Sequence, residues 1–437
     1  MRISVFTFYA CFLLVVSAVS DAGASPDIQA WQSEHGAKVL FVENRILPMV
    51  DLRIVFDAAG SRDGELPGLA KLTNGLLAEG AAGRDAQAIA ESFESVGAQF
   101  SNDSLRDMAY VGVRTLSDER YLQTAVDTLA DVLTRPDFPQ QAFERELARM
   151  KVALEARKQS PSDIAEETFF RAVYRNHPYA LPPGGTEQSL DSLGLDDIRT
   201  FLERYYVASN AIVVFVGDLD RATAEALVNT LFENMPAGKK PESLPSVPEL
   251  EQAVTLTIDY PSKQSHIVVG QPGMKRNDED FFELYVANHP FGGSGFASRL
   301  VQVIREDRGL AYSVSSYFLP MRERGPFMMS LQTRADQAEE ALSLVQTELD
   351  KYVTSGPGAE ELEASISNIT GSFPLSLDSN SKLLGYLAMI GFYDLPLDYL
   401  DTYTGKVRAV DRNDIRSVLN NRLDPERMVT VIVGNGG

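Results

Sequence analysis

The sequence predicts an α+β fold made of two homologous domains, each a largely antiparallel sheet with helices packed on one side. Three observations carry that reading. First, Asp197–Gly217 (DIRTFLERYYVASNAIVVFVG) recurs as Asp414–Gly434 (DIRSVLNNRLDPERMVTVIVG) without a gap. Second, the segments Gly97–Ser104 and Met108–Thr115 lie back to back, as the two strands of a hairpin do, instead of being separated by a helix. Runs of strands beside helices point to α+β and not to strictly alternating α/β architecture. Third, Met235–Glu249 (MPAGKKPESLPSVPE) is proline-rich and poor in apolar residues, the composition of a linker.

In the repeated segment, Asp197, Ile198, Arg199, Leu202, Val214, Val216 and Gly217 match Asp414, Ile415, Arg416, Leu419, Val431, Val433 and Gly434. Ile198, Leu202 and Tyr205 recur at helical spacing, and Ile212–Val216 is an unbroken β-branched and aromatic run. Each copy therefore reads as a helix followed by a buried strand. A weaker echo lies upstream. The strand Tyr110–Thr115 precedes a helix with Leu122, Val126, Leu129 and Leu133 on one face, and Phe327–Thr333 precedes Leu342, Val345 and Leu349 at nearly the same offset. A duplication of this long period means two copies of one domain, not a solenoid of ~20–50-residue units. The expected division is 1–24 as a signal peptide, 25–236 as the first domain, 237–249 as linker and 250–437 as the second domain.

The N-terminus reads MRISVFTFYACFLLVVSAVSDAGAS: one Arg, an apolar run from Val5 to about Val19, and small residues at Ala22 and Ala24. That is the pattern of a secretory signal cleaved after Ala24. The competing reading is a membrane anchor, but the run is short for a span of ~20 residues. Cys11 is the only cysteine and would leave with the signal. An exported chain without disulfides must rely on core burial, which suits a bacterial periplasm, and no other stretch is apolar enough to cross a membrane. The formal net charge of −21 excludes the basic footprint that nucleic-acid binding requires. It fits solubility, with cationic peptides as the functional alternative.

Residues 68–80 read GLAKLTNGLLAEG. This frame resembles the inverted zinc motif His-x-x-Glu-His of the insulinase/pitrilysin peptidases, with Lys71, Asn74 and Gly75 at the three functional positions. A catalytic zinc needs about three protein ligands and an open water position. A lysine cation repels the metal, glycine offers no side chain, and asparagine cannot serve as general base. His35, His177, His266 and His289 form no helical ligand pair, and no thiolate site is available. The expectation is no metal in this chain.

Further segments resemble the same family: Phe56–Arg62 (FDAAGSR), His177–Thr186 (HPYALPPGGT), Tyr205–Asp218 with its closing Val-Gly-Asp, and Phe291–Tyr312 (FGGSGFASRLVQVIREDRGLAY). The resemblance implies two domains with facing sheets, forming half of a clamshell that pairs with a homologous subunit around a peptide-digesting chamber. Zinc would sit in that partner. The family's second-domain Arg and Tyr map onto Arg305 and Tyr312. As i and i+7 they are expected on one helix face, with Gly309 allowing a turn before Tyr312. A guanidinium and a phenol offer donors able to grip a peptide carbonyl and a developing oxyanion. Gly292, Gly293, Gly295 and Ser298 are expected to form a loop close to substrate. A phosphate loop is excluded because no Lys-Ser/Thr pair follows. Glu144 and Glu146 lie near the position of the family's third zinc ligand and read as solvated helix charges, while His177 reads as structural.

The resulting expectation is a non-catalytic, substrate-binding subunit of a heterodimeric periplasmic zinc endopeptidase, inactive alone. It would bind peptides, no nucleic acid, and no membrane after signal cleavage. The alternative is a peptide-binding or structural subunit with no part in proteolysis.

Overall fold

The computed structural model describes residues 26–434. The expected signal segment lies outside them. Two sheets form the framework. In the first, the strands run in the order Gln29–Gln32, Lys38–Glu43, Ala211–Gly217, Met49–Phe56, Ala109–Leu116, Gln99–Ser104. In the second the order is Val254–Asp259, Val429–Gly434, Gln264–Pro272, Pro326–Arg334, Ala311–Phe318. Leaving aside the extra edge strand Gln29–Gln32, the two orders are the same. Each sheet is antiparallel except for one parallel pair at the same relative place: Lys38–Glu43 with Ala211–Gly217, and Val254–Asp259 with Val429–Gly434.

The repeated helix–strand unit falls at Leu195–Tyr205 with Ala211–Gly217, and at Arg412–Arg422 with Val429–Gly434. Both copies end next to the long central strand of their sheet. The upstream echo falls on Glu119–Thr134 and Ala338–Ser355, whose apolar stripes (Leu122, Val126, Leu129, Leu133; Val345, Leu349) are buried.

Each sheet is covered on its second face by a helix from the other half. The helix Pro161–Tyr174 leaves its own sheet and packs Ala165, Phe169, Phe170 and Val173 against Val268, Met328, Val429, Val431 and Val433. Gly270 permits this approach, since a Cβ there would sit 3.0 Å from Phe169 Cζ and 2.0 Å from the Phe327 carbonyl oxygen. In return, Asn380–Phe392 places Leu384, Leu387 and Ala388 against Leu40, Val42, Val214 and Val216. A Cβ on Gly391 would meet Ile212 Cγ2 at 2.6 Å. Burial on both faces explains why Ala211–Gly217 and Val429–Gly434 read as continuous apolar runs and not as alternating strands.

The proline-rich connection is pinned and does not swing free. Leu244, Val247 and Leu250 are buried in the core that contains Phe169. The ring nitrogen His177 Nε2 bonds the Pro245 carbonyl at 2.9 Å, and Arg324 donates to the Val247 carbonyl at 3.1 Å while pairing with Glu249. His177 therefore ties the first half to the connection, with its Nδ1 accepting from the Tyr179 N–H.

Candidate functional site

The helix Leu69–Leu76 carries the three degenerate positions. It starts at Gly68, whose positive φ of 95° glycine tolerates without strain. Asp63 supplies the cap, its carboxylate accepting the N–H groups of Gly68 at 2.8 Å and Ala70 at 2.7 Å. Burial of that carboxyl outweighs the two donors and pushes its pKa up to about 7.

Lys71 points to solvent. Asn74 is buried, and its side-chain nitrogen and backbone carbonyl are both hydrogen-bonded. Its nitrogen donates to the Tyr110 carbonyl at 3.2 Å and reaches the Tyr206 hydroxyl at 3.1 Å, while its backbone carbonyl accepts from the Asn102 side chain at 2.7 Å. A Cβ on Gly75 would meet nothing within 4 Å, so the ligand position faces open space.

The acids near this helix differ from expectation in one respect. Glu144 is exposed and accepts from the Gln140 side chain. Glu146, expected as a solvated charge, is buried on Gln140–Lys158, a helix that packs against Leu69–Leu76. Arg149 at 2.5 Å and Arg145 at 3.9 Å neutralise it. The sequence FERELAR surrounds it with charges, and that is why the buried site was not legible.

Zinc does not fit these groups. A lysine ammonium has no lone pair, a neutral amide is a poor ligand, glycine offers no side chain, the buried Asp63 is engaged by two backbone N–H groups, and the buried Glu146 is held by two guanidiniums. Among the described residues no group of three His, Cys, Asp or Glu is arranged to hold a metal ion.

The second half presents the Arg/Tyr pair differently from the expected helical face. Arg305 lies in the wide turn Val301–Glu306, and Tyr312 opens the strand Ala311–Phe318. Gly309, at φ 64°, closes the turn, with its N–H on the Arg305 carbonyl at 2.9 Å. Strand register shifts between Ala311 and Ser313, so Tyr312 is the bulged residue and its ring turns outward, 75% exposed. The two residues still meet. The Arg305 guanidinium lies 6.0 Å from the Tyr312 ring centre and 5.0 Å from that of Phe296, which is also exposed. Glu306 is its only ion-pair partner among the described residues, at 3.5 Å.

The glycine loop packs into the sheet edge. A Cβ on Gly292 would sit 2.5 Å from the Ser316 backbone nitrogen, and one on Gly293 would sit 2.8 Å from Asn288 Nδ2. Gly295 turns with φ 61° into open space. Ser298 departs from expectation: it is fully buried, and its hydroxyl donates to the Gly295 carbonyl at 2.7 Å. It shapes the loop and does not face a ligand.

Gly292, Gly293 and Gly295 line a cavity of about 1190 Å³ between the helix Phe281–Asn288, the strand Ala311–Phe318 and the helix Asn380–Phe392. Arg305 and Tyr312 lie outside its lining. Nothing in the sequence marks this cavity, because its aromatic walls are scattered over more than a hundred residues.

A buried polar knot that the sequence also does not announce joins the two halves. Asp107 accepts from the Tyr179 hydroxyl at 2.6 Å, the Arg322 N–H at 2.5 Å and the Tyr393 hydroxyl at 3.3 Å. Burial raises its pKa, against the pull of those donors. Asp57 ties Arg62 by two bonds of 2.7 and 2.6 Å.

Comparison with known proteins agrees with this geometry. The family model "Insulinase (Peptidase family M16)" matches residues 38–187, and "Peptidase M16 inactive domain" matches residues 192–369. The chain is 28% identical over 359 residues to the uncharacterized zinc protease YmxG of Bacillus subtilis, covering 82% of this chain and 86% of that protein. It is 25% identical over 401 residues to the non-peptidase homolog YmxG of Helicobacter pylori, covering 91% of each. The crystal structure of a peptidase M16 inactive domain from Pseudomonas fluorescens superposes with a TM-score of 0.91 at 38% identity, covering 94% of this chain and 98% of that one. The chain belongs to the insulinase family, peptidase family M16, as an inactive-type member whose zinc-motif positions hold Lys71, Asn74 and Gly75.

Proposed function

We propose that this chain is the non-catalytic, substrate-binding subunit of a heterodimeric zinc endopeptidase in the periplasm. It completes the chamber and lends Arg305 and Tyr312 to an active site whose zinc is held by a homologous partner. One observation carries the reading. The zinc-motif positions hold no ligand, and Asn74 is bonded into the core, whereas a half-buried Arg305 and an exposed Tyr312 remain side by side, with Glu306 as the one ion-pair partner of Arg305 among the described residues.

A surface Arg–Tyr contact adds little to the stability of its own fold. Its donors suit a peptide carbonyl as it becomes an oxyanion, and removing one such donor from an active site typically costs ~2.7–4 kcal/mol of barrier. The chain's own residues supply grip and orientation. The water activation belongs to the partner's metal.

The test is to measure peptide cleavage by the zinc-bearing family member of the same organism, by this chain, and by the two mixed. The mixture should cut faster than the partner alone, and this chain alone should not cut. A mixture no faster than the partner, with no complex at its summed mass, would leave the chain as a peptide-binding or structural subunit outside proteolysis.

A further inference from the structure

The cavity beside the glycine loop is walled by rings from three helices: Phe281 and Tyr285 from Phe281–Asn288, Tyr386 from Asn380–Phe392, and Tyr399 and Tyr403 from Tyr399–Ala409. Arg276 is set into this wall. Its guanidinium lies 5.6 Å from the Phe281 ring centre and 5.8 Å from that of Tyr393. Its Nε is buried without a hydrogen-bond partner. The nearby acids are already engaged: Asp278 and Asp280 hold Arg422, and Glu323 holds Lys275. Lys382 also lines the cavity but pairs with Asp378 and donates to the Leu375 carbonyl. Arg276 is thus a cation among aromatic rings, with its donors unanswered by the described residues.

A guanidinium stays charged and presents its donors as a rigid fork that matches a carboxylate in two parallel bonds. Partly removed from water without a counter-ion, it favours any anion that enters. The rings around it favour an apolar side chain beside that anion. A chain terminus combines the two. Its carboxylate is followed by no further backbone, so only one flanking peptide group loses water, whereas an internal Asp or Glu brings two. The volume of about 1190 Å³ is at the upper end of ligand pockets, which run ~300–1,000 Å³, and admits more than one residue.

We propose that this cavity receives the C-terminal end of a peptide, with the terminal carboxylate on Arg276 and an apolar or aromatic last residue against Tyr386, Tyr399 and Tyr403. The proposal rests on the reading of the chain as a peptide-binding subunit and adds which end of the peptide it holds.

The test uses the full chain and an N-terminally labelled, alanine-rich hexapeptide ending in phenylalanine, followed by fluorescence polarisation. Three forms are compared: free acid, C-terminal amide, and an amide carrying one internal glutamate. The free acid should bind on the order of tenfold tighter than the amide, the usual weight of a charge-assisted pair. Arg276→Gln should abolish that difference by weakening only the free acid, and Arg276→Lys should restore part of it. Equal affinity of wild type for acid and amide overturns the proposal, and that arm needs no variant to fold. So does binding of the glutamate-bearing amide as tightly as the free acid. If the amide is bound as well as the acid and the mixed subunits still cut it faster than the partner alone, the subunit role stands and the terminus pocket falls.

Discussion

The guanidinium of Arg305 lies 6.0 Å from the centre of the Tyr312 ring although a turn, a glycine and a strand bulge separate the two residues. Seven residues of helix would have placed them two turns apart. The observed path brings them together at the surface, with Tyr312 exposed and Arg305 half-buried. The guanidinium also lies 5.0 Å from the centre of the Phe296 ring, a second cation–π contact.

Arg305→Ala and Tyr312→Phe should therefore leave stability within about 0.5 kcal/mol of wild type, as exposed substitutions do. In the mixed subunits each should lower kcat/KM by roughly a hundredfold if the donor meets the developing oxyanion. Thermal melts and cleavage assays on the same preparations check both halves of the statement. A large loss of melting temperature would show that the pair is structural.

Asn74→Ala should destabilise the chain by about 1–3 kcal/mol. It removes the amide between the Tyr110 carbonyl and the Tyr206 hydroxyl and leaves both buried without that donor. Urea denaturation measures it. An unchanged midpoint would mean that the site in place of the general base is not repacked in the way described.

The contribution of Asp63 to stability should fall as pH rises from about 4 to about 7. Asp63 has its carboxyl pKa raised to about 7 by burial, so the folded state holds the proton more tightly than the unfolded chain does. The contribution is complete below the ordinary carboxylate range and is lost as pH passes through the raised value. Integrated over that window it is on the order of 4 kcal/mol. Asp107 shifts in the same direction for the same reason. Melting temperature against pH for wild type and Asp63→Asn gives the check: the variant should show a flatter slope, and an identical slope contradicts the assignment.

Phe169→Ala should cost about 3–5 kcal/mol, the range for a buried phenylalanine. The loss should appear as a single transition, because this residue of the first half packs on the sheet of the second. Residues 26–236 expressed alone should bind ANS and aggregate, since Leu40, Val42, Val214 and Val216 lose the helix that covers them. A monomeric, cooperatively melting fragment would show that the exchanged helices are dispensable.

Much of the framework was legible in the sequence because it is written in periodicity. Ile198 and Leu202 recur at helical spacing, and Ile212–Val216 is unbroken, as a strand buried on both faces must be. The exchange of helices was not legible. Phe169 and Leu387 look like ordinary members of amphipathic helices, and nothing local says which sheet they cover. Glu146 was hidden by the charges on either side of it. The Arg305–Tyr312 spacing suggested a helix because the bulge at Tyr312 leaves no mark in the sequence, and Gly309 marks only the turn before it. Asn74 was visible as a lost base, but its bonds to Tyr110 and Tyr206 depend on residues far along the chain.

Zinc content measured together with cleavage tests the central claim most directly. The purified chain alone should carry less than stoichiometric zinc and cut no peptide, while the complex with its partner should carry one zinc per heterodimer and lose activity to a chelator. One zinc bound per isolated chain, removed by Lys71→Ala or Glu146→Gln together with chelator-sensitive cleavage, would contradict it.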